Sequence, residues 1–246
     1  MTRSRDALLS TPAEPFDIQL LTAKLCLLPA GAVWWPDEGT LIVSDLHLEK
    51  GSSYAARGQM LPPYDTGTTL SLVEHLASTY GPRRIVSLGD SFHDRSAELR
   101  IAEADRARIR VLTASVDWIW VEGNHDPDPP EDLGGRAAKQ LDIGPLVFRH
   151  EPTGARGEVS GHLHPVVKVR ARHRAVRCRC FASDGLRLVL PAMGALTGGL
   201  NICDPAFAAA LPDGTTAYAL GEQRIHRIDE ARHEPDRYAH GGVWRA

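Results

Sequence analysis

The sequence predicts an α/β fold in which a largely parallel sheet with covering helices has a second sheet packed on it. Three observations carry this. Between residues 39 and 121, apolar strand-like runs alternate with helix-period segments, the pattern of strand–helix–strand units. From residue 137 onward, short strand-like runs follow one another with few helical stretches between them. No linker-like segment separates the two halves, which predicts one domain over 16–228. With 43% of its residues hydrophobic, the 246-residue chain has ample material for such a core.

Residues 1–15, with Pro12 and Pro15 and little periodicity, are expected to form a flexible arm. Runs at 16–21 and 24–28 read as short strands, and 39–44 (Gly-Thr-Leu-Ile-Val-Ser) as a buried one. Leu70, Val73, Leu76 and Ala77 recur at helical spacing over 66–80, and Gly81-Pro82 stops that helix. Residues 84–88 read as a strand, 95–114 as one long helix and 117–121 as a strand. Further strands are expected at 137–142, 145–149, 156–160, 165–172, 178–182, 186–190, 215–220 and 223–228. Asp184-Gly185 and Asp213-Gly214 mark turns among them. From Asp229 the chain is polar, which predicts a loosely held tail over 229–246.

Composition excludes several functions. No apolar run approaches the ~20 residues of a membrane span, and no apolar stretch follows the basic start, so neither membrane insertion nor export is expected. At net charge −3 the whole molecule does not attract polyanions; a nucleic-acid site must come from local charge or metal ions. Cys26, Cys178, Cys180 and Cys203 form neither a disulfide framework nor a CxxC zinc pair, so a reducing cytoplasm is the expected setting.

The chemistry lies just after the predicted strands. Asp45-Leu-His47 follows Leu41–Ser44, Gly89-Asp90 follows Ile85–Leu88, and Gly123-Asn124-His125-Asp126 follows Trp118–Glu122. His150 ends the 145–149 strand, and Gly161-His162-Leu163-His164 ends the 156–160 strand. Ligands bind at the carboxyl ends of strands in open α/β sheets, so these five segments should meet on one rim. In extended backbone, side chains at i and i+2 point the same way, so Asp45 with His47 and His162 with His164 each offer two ligands to one place. A carboxylate such as Asp90 can bridge two ions held ~4 Å apart. Imidazole, carboxylate and amide donors without thiolate suit two divalent ions, with Mn²⁺ expected first and Fe or Zn as alternatives.

In this order the residues resemble the five motifs of the calcineurin-like metallophosphoesterase superfamily: DxH, GD, GNH followed by an acidic residue, a lone His, and GHxH. The resemblance implies four layers, two mixed β-sheets flanked by helices. It implies that Asp45, His47, Asp90 and His164 hold one metal, and Asp90, Asn124, His150 and His162 the other. It also implies metal-activated water as the nucleophile, with His125 beside the leaving oxygen. Asp45-Leu-His-Leu-Glu-Lys-Gly-Ser52, Leu61-Pro-Pro-Tyr-Asp65, Leu88-Gly-Asp-Ser-Phe-His-Asp94 and Pro191-Ala-Met-Gly-Ala-Leu-Thr-Gly-Gly199 further resemble the ligase-associated DNA damage response endonucleases. That branch implies DNA as partner and, by its name, association with a DNA ligase. Many superfamily members carry an acidic residue where this chain has His93, which is expected to contact substrate or support the ligands.

Taken singly, most of these residues have plainer readings. A lone histidine is usually a hydrogen-bonded core residue, and Asp45, Asp90 or Asn124 could each form a strand-end turn; only their joint spacing argues for ligands. Asp126, before Pro127, either orients His125 or shapes a turn. His75, His173, His226, His233 and His240 lack motif context and are taken as structural or exposed, Trp118 and Trp120 as packing, and Trp34-Trp35 as packing or a cover over the substrate. No acidic residue occurs from Val159 to Ser183, where Lys168, Arg170 and Arg172 would share one strand face as a phosphate track or a solvated hairpin. Lys50 and Arg57 lie close in sequence to the first motif and could bind a substrate phosphate.

The expected activity is metal-dependent phosphodiester hydrolysis, with DNA as substrate. One alternative is a cyclic nucleotide phosphodiesterase or phosphomonoesterase, because only 11 residues separate His150 from His162 and no cap domain is evident. Another is a protein-binding scaffold that kept the fold without chemistry; the complete ligand set argues against it.

Overall fold

The structure, a computed structural model, describes residues 14–61, 64–128, 131–171 and 174–236. Its first sheet has the order β1 (Phe16–Leu20), β2 (Ala23–Leu27), β3 (Val33–Trp35), β4 (Thr40–Val43), β5 (Arg84–Leu88), β6 (Asp117–Val121), β7 (Arg136–Ala138). Strands β1 to β4 pair antiparallel; β4 to β7 pair parallel, the arrangement that connecting helices require. Helices α1 (Lys50–Ala56) and α2 (Asp65–Tyr80) connect β4 to β5, α3 (Ala97–Arg100) and α4 (Glu103–Ser115) connect β5 to β6, and a single 3-10 turn at Glu131–Leu133 lies between β6 and β7.

The second sheet contains β8 (Leu141–Ile143), β9 (Leu146–Arg149), β10 (Glu158–Ser160), β11 (Pro165–Ala171), β12 (Arg174–Ser183), β13 (Leu188–Val189) and β14 (Leu200–Asn201), in the spatial order β14-β11-β12-β13-β10-β9-β8. After α5 (Pro205–Ala210), β15 (Thr216–Leu220) and β16 (Ile225–Ile228) extend it from β12.

Side-chain alternation along the strands fixes the layering. Leu41, Val43, Ile85, Trp118 and Trp120 face the helices with Leu70, Val73 and Ile109. Their neighbours Ile42, Val86, Leu88, Ile119 and Val121 face the second sheet and meet Phe148, Val159 and Phe181. On that sheet's far side, Cys180, Ala182 and Val189 pack with Phe207 and Ala210 of α5. Three cores therefore separate four layers: helices, sheet, sheet, α5. The continuous apolar runs of β4 to β6 follow from burial on both faces. Trp34 packs on Tyr80, Trp35 on Phe148, and Trp118 on Trp120.

Several expectations need correction. The helix expected over 95–114 is two, because Ile101 turns extended (φ −61°, ψ 128°) to bury its side chain. The strand expected over 137–142 is two strands in different sheets: β7 joins β6, the chain crosses at 139–140, and β8 joins β9. β3, α1, β14 and α5 were not expected. Sequence did mark α5, whose Asp204 cap accepts from Ala206 N and whose first residue is Pro205, but six residues are too few for a period.

Arm and tail are partly described. Residues 1–13 and 237–246 lie outside the described residues. Glu14 N donates to Gln223 O, and 229–236 lie against β11 through Glu234 N–Lys168 O at 2.8 Å. Among the described residues no helix is long and apolar enough to cross a membrane.

Candidate metal centre

Three of the five ligand segments, those after β4, β5 and β10, leave their strands by a backbone turn that L-residues resist. Asp45, His47, Glu49, Asp90, His162 and His164 all have positive φ, between 42° and 67°. The two HxH- and DxH-type pairs thus converge through left-handed residues at i and i+2 rather than through the extended backbone that the spacing suggested. Such conformations cost ~1–3 kcal/mol each and persist only where the surroundings fix them.

Here the loops after β4 and β5 hold each other: His47 N donates to Asp90 O (2.9 Å) and Leu48 N to Ser91 O (2.9 Å). On the other side the 191–199 loop clamps them, with Met193 N on Ser44 O and Gly194 N on Asp45 O, both at 3.0 Å. Beyond, Glu49 is buried and bonds Thr66 twice: Glu49 N to Thr66 Oγ1 (2.8 Å) and Thr66 Oγ1 to Glu49 Oε1 (2.9 Å). Only glycine fits at 123 and 161. A Cβ on Gly123 would collide with the Asp90 backbone and carboxylate, and one on Gly161 with Ser44 Oγ and the Asp45 carboxylate.

Two adjacent donor sets result. In the first, one atom each of Asp45, His47, Asp90 and His164 lie within 4.8 Å of one another. His47 Nε2 faces His164 Nε2 at 3.3 Å, and His164 Nε2 lies 3.1 Å from Asp45 Oδ1. In the second, Asn124 Oδ1 lies 2.9 Å from His150 Nε2 and 3.0 Å from His162 Nδ1, with His150 Nε2 3.3 Å from Asp90 Oδ1. Asp90 belongs to both sets, with Oδ2 toward His47 (3.8 Å) and Oδ1 toward His150.

The electrostatics fit cations. Burial alone would raise the Asp45 and Asp90 carboxyls, but the surrounding imidazoles outweigh it and hold both well below the ordinary range. Burial pushes His47 down to about 3 despite the pull of Asp45 and Asp90, so its ring is neutral with a free lone pair. His162 is lowered by burial and by His150. His150 is the exception: burial lowers it, yet bonding to Asp90 and the Asp45 charge lift it to about 9. Its Nδ1 donates to Leu88 O, so Nε2 is the nitrogen that takes either a proton or a metal. Two carboxylates, four imidazoles and an amide oxygen converging without a lysine or arginine among them suit a pair of divalent ions.

His125 stands beside this centre. Its backbone N donates to Asp90 Oδ1 (3.0 Å), and its Nε2 lies 3.9 Å from Asp90 Oδ2. Its Nδ1 donates to the His93 carbonyl at 2.9 Å. The orienting role expected of Asp126 therefore falls to a backbone oxygen. Asp126 is buried beneath the site, where its Oδ2 accepts from Phe92 N (3.0 Å) and burial raises its carboxyl to about 7.

The His93 ring stacks on His125 (centroids 5.6 Å apart, planes 17° apart) and meets Tyr54 at 5.9 Å. Burial, with the Lys50, His125 and Arg57 charges, pushes His93 down to about 4. Lys50 is half-buried and Arg57 exposed. Arg170 is not part of this cluster: it lies along β11, 2.8 Å from Glu234. Arg172 lies outside the described residues. Tyr54, the His93 carbonyl and the 191–199 clamp were not anticipated, since a backbone oxygen and a packing contact leave no composition signal. A cleft of about 560 Å³ opens against Asn124 and His150 and is lined also by Lys139, Arg149 and Glu151.

No curated protein matches the chain in a sequence search. Among solved structures, the nuclease MPE of Pseudomonas putida matches at TM-score 0.67 and 26% identity, over 87% of this chain and 100% of that one. The phosphoesterase Yfce of E. coli matches at TM-score 0.39 and 17% identity, over 77% of this chain and 97% of that one. The calcineurin-like phosphoesterase family model matches residues 40–174, from the strand before Asp45 to beyond His164, and the chain belongs to that family.

Proposed function

We propose that this protein is a dinuclear phosphodiesterase that cuts DNA, a member of the ligase-associated endonuclease branch that its 45–52, 88–94 and 191–199 segments resemble. The observation that carries the reading is the pair of donor sets sharing Asp90. Asp45, His47, Asp90 and His164 would hold one ion, and Asp90, Asn124, His150 and His162 the other. Divalent ions in those places, Mn²⁺ first among them, supply charge neutralisation at a phosphoryl group and lower the pKa of water. DNA as substrate is supported by the likeness to a nuclease over most of both chains. Association with a DNA ligase belongs to the same reading.

The chain's own residues do the rest. His125, held at Nδ1 by the His93 carbonyl, presents Nε2 at the rim of the ligand cluster, where it would give a proton to the departing alkoxide. His93 and Tyr54 back that ring, and Lys50 and Arg57 add positive charge where a phosphate approaches. Asp126 holds the Phe92 backbone and so the β5 loop that carries Asp90.

The test compares nicking of circular DNA with hydrolysis of a cyclic nucleotide, both with Mn²⁺. Nicking is expected; hydrolysis of the cyclic nucleotide alone would replace DNA with a small substrate.

A further inference from the structure

The β11–β12 ribbon begins at the metal centre, because Pro165 follows His164 directly. Lys168 pairs with Arg177, Val166 with Arg179 and Arg170 with Ala175. Directly opposed residues share a face, so Lys168, Arg170, Arg177 and Arg179 all project from the same side. Val167, Val169, Cys178 and Cys180 take the other side, against the α5 core. The cationic face carries no acidic residue of its own.

What lies on it comes from the end of the chain. Glu234 Oε1 is 2.8 Å from Arg170 Nε, and the Asp236 carboxylate is 3.5 Å from Arg177 Nε and 3.7 Å from Lys168 Nζ. The backbone is anchored as well: Glu234 N donates to Lys168 O, Asn201 Nδ2 to Glu234 O and Lys168 Nζ to Pro235 O. Two carboxylates two residues apart can span ~7 Å, on the scale of one nucleotide step. Arg170 and Arg177 still expose 66% and 44% of their side chains. Arg179, paired with Val166 two residues beyond His164, donates to Ala192 O at 3.0 Å and forms no ion pair among the described residues.

We propose that this face is the docking track for a single nucleic-acid strand entering the metal centre, and that Glu234 and Asp236 occupy its outer half in place of two phosphates. The identity of the strand rests on the function proposed above. Ion pairs partly open to solvent are each weak, so a polyanion can displace the two carboxylates from the cations without unfolding the sheet.

The experiment measures binding of a fluorescent single-stranded oligonucleotide against salt concentration, with no divalent ion added. The double variant Glu234→Gln with Asp236→Asn should bind about fivefold more tightly. Its salt dependence should steepen by ~0.7 for each freed phosphate contact. Arg179→Glu, which disturbs one backbone contact, should weaken binding about fivefold. Unchanged affinity in either variant overturns the proposal. Hydrolysis of bis-nitrophenyl phosphate, which has no flanking strand, should keep its rate in the double variant; a change matching that in binding would overturn it. If these binding results hold but the wild type does not nick DNA with Mn²⁺, the nuclease reading fails while the track stands.

Discussion

His150 Nδ1 lies 2.8 Å from the Leu88 carbonyl, an oxygen that can only accept, so the imidazole is anchored to the strand that carries Asp90. The opposite nitrogen is thereby aimed at Asn124 Oδ1 and Asp90 Oδ1. The same device recurs at His125, whose Nδ1 is held by the His93 carbonyl. Backbone oxygens, which no side-chain substitution removes, choose the working nitrogen of both rings.

Removing a donor from one set should empty that set alone. His162→Ala is expected to lower bound metal from two ions per chain to one, read by elemental analysis of the Mn²⁺-loaded protein. Retention of two ions would separate His162 from the centre.

His125→Ala should keep both ions and lose turnover according to the leaving group. On DNA, which departs as an alkoxide, the loss should reach ~10²–10³-fold; on bis-nitrophenyl phosphate it should be far smaller. Equal losses on the two substrates would remove the proton-donor role.

Thr66→Val takes away both bonds to the buried Glu49, whose left-handed backbone (φ 65°) leads from His47 into α1. Stranding the Glu49 amide and one carboxylate oxygen, while Ser52 Oγ still donates to the other, should cost about 2 kcal/mol in urea unfolding. A loss under about 0.5 kcal/mol would mean that solvent reaches this pair.

The Glu74–Arg108 pair joins α2 to α4 through two bonds of 2.8 and 2.7 Å. Bonding to Arg108 lowers the Glu74 carboxyl below its usual 4.5. A lowered folded pKa stabilises above the unfolded value and is lost as pH falls through the folded one. With 36% of the Glu74 side chain exposed, screening should hold the effect to ~0.5 kcal/mol. Glu74→Gln should therefore be less stable than wild type at pH 7 and converge with it as pH drops below 4.5. A gap that persists in acid would assign it to packing.

Residues with strand-end positions were readable because the chemistry follows continuous apolar runs, which β4, β5 and β6 need for burial on both faces. That logic located Asp45, His47, Asp90, Asn124, His150, His162 and His164. It misjudged how they converge, because left-handed φ at six ordinary residues is fixed by loop-to-loop hydrogen bonds distant in sequence. The passage of 137–142 from one sheet to the other was illegible for a similar reason: both halves alternate alike, and only their partners differ. Asp126 beside His125 suggested an orienter, yet its side chain turns down to Phe92 N. The basic hairpin was visible as a run of Lys and Arg, but its acidic cover comes from more than 60 residues later in the chain.

The central claim is that seven side chains from five strand ends make two ion sites sharing Asp90. Anomalous diffraction from crystals grown with Mn²⁺ tests it most directly. Two peaks are expected, one among Asp45, His47, Asp90 and His164 and one among Asp90, Asn124, His150 and His162. A single peak, or peaks away from Asp90, would contradict the account.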